Sequence, residues 1–190
     1  MTEILLFHHA QGRTQGVLAF AEDVRAAGHV VHTPDLYDGK TFDDLDDGIG
    51  YAKQVGFDTI MERGRLAAEE LQNELVYAGF SLGVMPAQLL AQTRRGARGA
   101  LFFSAALPGS EFGDGWPQKV PLQIHMMEDD PWVDEDLPAA RELVESADRA
   151  ELFLYPGDRH LFADSSLPDY DEAAAKTLRE RVLRFLETAG

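Results

Sequence analysis

The stretch Leu75-Val76-Tyr77-Ala78-Gly79-Phe80-Ser81-Leu82-Gly83-Val84-Met85-Pro86-Ala87-Gln88-Leu89-Leu90-Ala91-Gln92 decides how this chain is read. Leu75 to Ala78 is a short apolar run of the kind that forms a buried strand. Val84 to Gln92 reads as a helix. Between them lies Gly79-Phe80-Ser81-Leu82-Gly83, a Gly-x-Ser-x-Gly pentapeptide. A strand that turns this sharply into a helix leaves no room for side chains two residues either side of the central serine, so glycine stands there. The serine is then held in a strained backbone conformation with its hydroxyl exposed above the sheet, a nucleophile elbow.

Strand-like runs recur on both sides of this elbow. They cover residues 4–8, 30–33, 75–78, 100–103, 122–126 and 152–155, and most are continuously apolar, as strands covered on both faces are. Helical patterning falls over residues 17–27, 57–73, 82–95, 137–146 and 170–188. The last carries an apolar stripe at Ala174, Leu178, Val182, Leu183 and Leu186. This alternation predicts a single-domain α/β fold with a mostly parallel sheet of about six strands. The longest segments expected to be irregular are 38–52 and 104–120.

Bulk composition sets further bounds. With 190 residues, 45% hydrophobic and 26% charged, the chain is sized for one well-buried core. No apolar run approaches the roughly 18 residues of a membrane span, and the first residues lack the basic region of a signal peptide. The absence of cysteine removes disulfides and thiolate metal sites and is consistent with a cytoplasmic protein. It also makes any nucleophile an oxygen. A net charge of −16 repels phosphate backbones, so neither nucleic acid nor membrane is an expected partner.

In parallel α/β sheets, chemistry collects in the loops at the carboxyl ends of the strands. Four such loops carry reactive side chains here: His8-His9-Ala10-Gln11-Gly12, Ser81, Glu128-Asp129-Asp130 and Asp158-Arg159-His160. A serine hydroxyl needs a base, histidine suits that role near neutral pH, and a buried carboxylate orients the imidazole. Spacing leaves Asp129 and Asp130 both open as that acid, because adjacent residues in extended chain face opposite ways. An oxyanion would be held by the backbone N–H of Leu82, at the positive end of the following helix, and by one from the first loop, where Ala10 and Gln11 are candidates. His8 and His9 diverge on an extended strand and no third ligand is indicated, so no metal is expected. His125 reads as a satisfied core histidine.

At these residues the chain resembles the dienelactone hydrolase family, a cap-less branch of the α/β-hydrolases. The matching blocks are Gly12, Gly28-His29-Val30 with Pro34-Asp35-Leu36-Tyr37, the elbow, Asp130-Pro131-Trp132-Val133 and His160-Leu161-Phe162. The resemblance implies a cap-less α/β-hydrolase fold with Ser81, Asp130 and His160 as catalytic residues, and Leu82 and Ala10 as oxyanion donors. His9 and Gln11 are placed at the pocket rim, and Phe112 and Trp116 are expected to roof it. Three departures stand out: serine replaces the family's cysteine at the elbow, His9 replaces a glutamate, and Asp164 replaces an arginine that binds a substrate carboxylate. The last predicts that a neutral substrate is preferred to an anionic one. The expected reaction is hydrolysis of a small-molecule carboxylic ester or lactone through an acyl-serine, without a cofactor. The alternatives are a thioesterase or acyltransferase on the same residues and a non-catalytic ligand-binding scaffold; a monomer and a homo-oligomer stay equally open.

Overall fold

Two-residue periodicity along the strands separates two hydrophobic layers. The computed structural model describes residues 1–189. Its elements are β1 (Glu3–Phe7), α1 (Gln15–Ala26), β2 (Val30–His32), α2 (Leu45–Val55), α3 (Phe57–Glu69), β3 (Val76–Phe80), α4 (Val84–Thr93), β4 (Gly99–Phe103), β5 (Leu122–Met127), α5 (Val133–Ser146), β6 (Ala150–Tyr155) and α6 (Glu172–Ala189). All six strands are parallel, in the order β2-β1-β3-β4-β5-β6. Leu5, Phe7, Tyr77, Phe102, Ile124 and Met126 face one layer with residues of α2, α3, α4 and α5. Ile4, Leu6, Val76, Ala78, Leu101 and Phe103 face the other, with α1 and α6. A parallel sheet covered on both faces needs continuously apolar strands, which the central β1 (from Ile4), β3 and β4 are.

This topology places the site. From β1 the chain runs outward through α1 to β2, then returns across α2 and α3 to β3 on the other side of β1. Successive connections thus leave opposite faces, and a crevice opens beyond the carboxyl ends of β1 and β3. Ser81 follows β3 directly.

The helix boundaries correct several expectations. The segment 38–52, expected to be irregular, contains most of α2. Asp44 caps it, its carboxylate accepting from the amides of Asp46 at 2.8 Å and Asp47 at 3.3 Å. Four acidic residues and two glycines in 43–50 leave only Leu45 and Ile49 as apolar positions ahead of Tyr51, Ala52 and Val55. α4 begins at Val84, after a single 3-10 turn over Ser81–Gly83, and not at Leu82. α5 begins four residues earlier than expected, at Val133, with Pro138 inside it. A proline one turn into a helix forfeits one backbone bond without ending it. α3 stops at Glu69, short of Asn73. The connection 104–121 holds one short turn, Gly109–Phe112, and no helical cap.

Asp44→Ala removes the α2 cap and should cost about 1 kcal/mol. Urea unfolding should show that loss, and hydrogen exchange should show faster exchange of the Asp46 and Asp47 amides. Unchanged exchange there would show that tertiary packing, and not the cap, holds this end of the helix.

Candidate active site

Steric exclusion builds the elbow. Ser81 has φ +47°, in the left-handed region that side chains rarely adopt. A Cβ at Gly79 would collide with the carbonyl of Gly83, and one at Gly83 would lie 2.5 Å from Phe7 O and 2.7 Å from His8 O. The second contact matters for function. It presses the end of β1, and the loop that follows, against the turn carrying Ser81.

A continuous hydrogen-bond chain leads from Ser81 into the interior. Its Oγ lies 2.8 Å from His160 Nε2, and His160 Nδ1 lies 2.7 Å from Asp130 Oδ2. A carboxylate can only accept, so Nδ1 carries the proton and Nε2 is free to accept from the serine hydroxyl. Asp130 is 2% exposed, and its other oxygen accepts from the amide of Trp132 at 3.0 Å. Asp129, which spacing left open, is exposed, with its amide donating to Gly157 O at 2.9 Å. Ser104, which the sequence reading did not single out, donates its hydroxyl to the carbonyl of His160 at 2.5 Å. It has φ +61°, a second left-handed residue at a strand end. Nothing in its local sequence marks that role.

Ser81 and His160 open onto a cleft of about 310 Å³. Ala10 and Leu82 line it, as do Leu45, Ile49 and Lys53 of α2, Phe57 of α3, Ala105, Trp132 and Asp136. Burial pushes the Asp136 carboxyl up from the usual carboxylate range, against the amide of Ala106 that it accepts from.

Four expected pocket residues are elsewhere. Trp116 is buried, donating to Val120 O at 3.0 Å and packed edge-on to Phe102, so it belongs to the core beneath β4. Phe112 lies half-buried in the Gly109–Phe112 turn and does not reach the cleft. Gln11 is buried and tied to Phe42 O at 3.0 Å. His9 is fully buried, 2.8 Å from Asp164. The roof comes instead from α2, which the sequence reading left irregular.

Asp164 is also buried and does not line the cleft. The carboxylate expected to repel anionic substrates is thus removed from the space a substrate would occupy. Charges at the cleft belong to Lys53, Glu135 and Asp136. Among the other histidines, His8 donates to His9 O and accepts from the amide of Leu36, which occupies both ring nitrogens. His125 bonds Tyr155 Oη at 2.9 Å, but its Nε2 has no partner, so it is only half satisfied.

Comparison with known proteins identifies the family and the fold. The family model for the dienelactone hydrolase family matches residues 1–190. The chain belongs to the dienelactone hydrolase family. It is an α/β hydrolase, with a serine where the family's namesakes carry cysteine. No curated protein sequence matches it. Among solved structures, it superposes on a dienelactone hydrolase-like promiscuous phosphotriesterase from metagenomic libraries with TM-score 0.79 and 18% identity, covering 98% of this chain and 86% of that one. Thermogutta terrifontis esterase 2, phosphonylated by cyclosarin, gives 0.72 at 16% identity, covering 100% and 83%. A dienelactone hydrolase from Anabaena variabilis ATCC 29413 gives 0.66 at 16% identity, covering 98% and 86%. Among the described residues no helix is long and apolar enough to cross a membrane.

Buried histidines make this family member sensitive to acid. Burial lowers His8 from 6.5 to about 4 and His125 from 6.5 to about 3. Between pH 6.5 and about 4 the unfolded chain therefore binds protons that the folded chain refuses, and stability falls as pH falls. Asp164 acts in the same direction at lower pH: burial opposes its ionisation, but bonds from His9, Ser166 and Thr14 outweigh that and lower its pKa. His125→Phe keeps a ring between Phe103 and Phe153 and removes one of these groups. Its unfolding free energy should depend on pH less steeply over that window, by close to one proton. Urea titrations from about pH 4 to 7 measure the slope, and an unchanged slope would place the acid sensitivity elsewhere.

Proposed function

We propose that the protein hydrolyses a small, neutral carboxylic ester or lactone through an acyl-serine intermediate. The observation that carries this reading is the unbroken chain from Ser81 through His160 to buried Asp130, opening on a largely apolar cleft. The family supports hydrolysis as the reaction class. Ser81 Oγ attacks the carbonyl carbon while His160 Nε2 takes its proton. Asp130 holds the ring in the tautomer this requires and stabilises the imidazolium that forms. Negative charge then gathers on the former carbonyl oxygen, which the amides of Leu82 and Ala10 receive. Collapse expels the alkoxide, which leaves as the alcohol with the proton from His160. Water, deprotonated by His160, then attacks the acyl-serine and releases the acid. Side chains, backbone amides and water supply every step.

Cleft shape and charge support the substrate class. Leu45, Ile49, Phe57, Leu82 and Trp132 offer apolar contact, and about 310 Å³ suits a small molecule. Glu135 and Asp136 outnumber Lys53 around it, on a chain of net charge −16. This local field takes over the role that the sequence reading gave to Asp164.

Ser81→Ala should lower kcat on p-nitrophenyl acetate by several orders of magnitude with the fold intact. Asp130→Asn should approach that loss, whereas Asp129→Asn, altering an exposed carboxylate, should remain within about threefold of wild type. Comparable activity in the Ser81→Ala protein, or equal losses at the two aspartates, would refute the assignment. Lys53→Glu removes the cation of the cleft and should widen the preference for neutral over anionic esters by about three- to tenfold at low salt. Matched ester pairs assayed for kcat/KM at two ionic strengths test this, and a narrowed preference would contradict the charge argument.

A further inference from the structure

His9 and Asp164 are 155 positions apart and bond each other at 2.8 Å in the interior. The carboxylate of Asp164 also receives the Thr14 hydroxyl, the Ser166 hydroxyl at 2.6 Å and the Ser166 amide at 2.8 Å. Ser166 Oγ in turn accepts from the amide of Gly16 at 3.1 Å. One carboxylate thus ties the loop after β1 to the loop that begins at His160, and the Asp164 amide itself closes a turn onto Leu161 O at 2.9 Å.

The amide of Gln11 donates to His9 Nδ1 at 3.2 Å. An amide nitrogen cannot accept, so Nδ1 is bare and the proton sits on Nε2, where it is donated to Asp164. The next amide, Gly12 N, donates to the carbonyl of His9 at 3.0 Å. Both amides after Ala10 are therefore folded back onto His9, while Ala10 itself lines the cleft beside Ser81 and Leu82.

We propose that His9, anchored by Asp164, is a positioning residue whose ring turns the Gln11 amide aside and sets the Ala10 amide as an oxyanion donor. This rests on the ester-hydrolase reading of the site. His9 touches no substrate. It acts through the backbone of Ala10, and because oxyanion contacts form fully only in the transition state, its removal lowers kcat more than it changes KM.

The test pairs two conservative variants. In His9→Gln, the side-chain amide nitrogen takes the place of Nε2 and still donates to Asp164, but Gln11 N–H loses its acceptor. In His9→Asn, the side-chain oxygen takes the place of Nδ1 and still accepts from Gln11, but Asp164 loses a donor. Each is assayed with an activated ester and its thionoester analogue, since sulfur is a poor acceptor and an ordered oxyanion site discriminates against it. Melting temperature is measured alongside. His9→Gln should melt closer to wild type yet lose about tenfold in kcat with KM within about threefold, and its oxoester-to-thionoester ratio should fall by about fivefold or more. His9→Asn should melt lower yet keep more of that ratio. The opposite ordering of stability and discrimination is the signature of positioning. A ratio that follows melting temperature, or that neither variant changes, overturns the proposal. Ester turnover by wild type that Ser81→Ala leaves intact would instead overturn the reading of the site itself.

Discussion

Everything at the active face depends on one steric constraint, the left-handed turn at Ser81 between two positions that admit only glycine. Gly83 lets the carbonyls of Phe7 and His8 approach within 2.7 Å of where a side chain would begin. Because β1 and β3 are neighbours in the sheet, that approach brings the loop after β1 over the serine. Strain at one residue is thereby maintained by the two hydrophobic layers beneath it. The order of strands in the sheet does the rest, since the loops after β5 and β6 deliver Asp130 and His160 to the same rim.

The interior polar groups form two connected sets and not isolated pairs. One runs from Ser81 through His160 to Asp130, with Ser104 bound to the His160 carbonyl. The other gathers His9, Thr14 and Ser166 around Asp164. They meet in sequence on the segment His160 to Asp164. A buried carboxylate without donors would be costly, and both aspartates here are supplied from two or more directions. That sharing ties the backbone between the two sets to the sheet on both sides of His160.

Much of the fold was legible because its signals are local. Short apolar runs, most of them continuous, marked all six strands, and a glycine-framed serine between strand and helix marked the elbow. Asp130 and His160 were singled out from their place at strand ends, with family resemblance choosing between Asp129 and Asp130, and the structure brings both to Ser81. What escaped the sequence depends on distant partners. α2 carries its apolar positions thinly among acids and glycines, so composition read as loop. Trp116 reads as a pocket aromatic until Phe102 and Val120 O are seen to claim it. Asp164 reads as an anion facing the substrate because nothing near it in the chain reveals Thr14 or His9. Ser104 carried no signal that could have found it.

Gly48 gives the roof of the cleft an unusual attachment. A side chain there would strike the carbonyl of Ala10, so α2 rests backbone to backbone on the loop beside Ser81. Gly48 and Ala52 are the residues that α2 buries. The helix therefore lines the cleft with Leu45, Ile49 and Lys53 while giving the hydrophobic interior mainly Ala52, with Tyr51 and Val55 at its margin. Leu45, Ile49 and Lys53 are accordingly open to exchange without repacking the sheet. The lining of the cleft can thus vary along one thin helix while the Ser81, His160 and Asp130 chain beneath it stays in place.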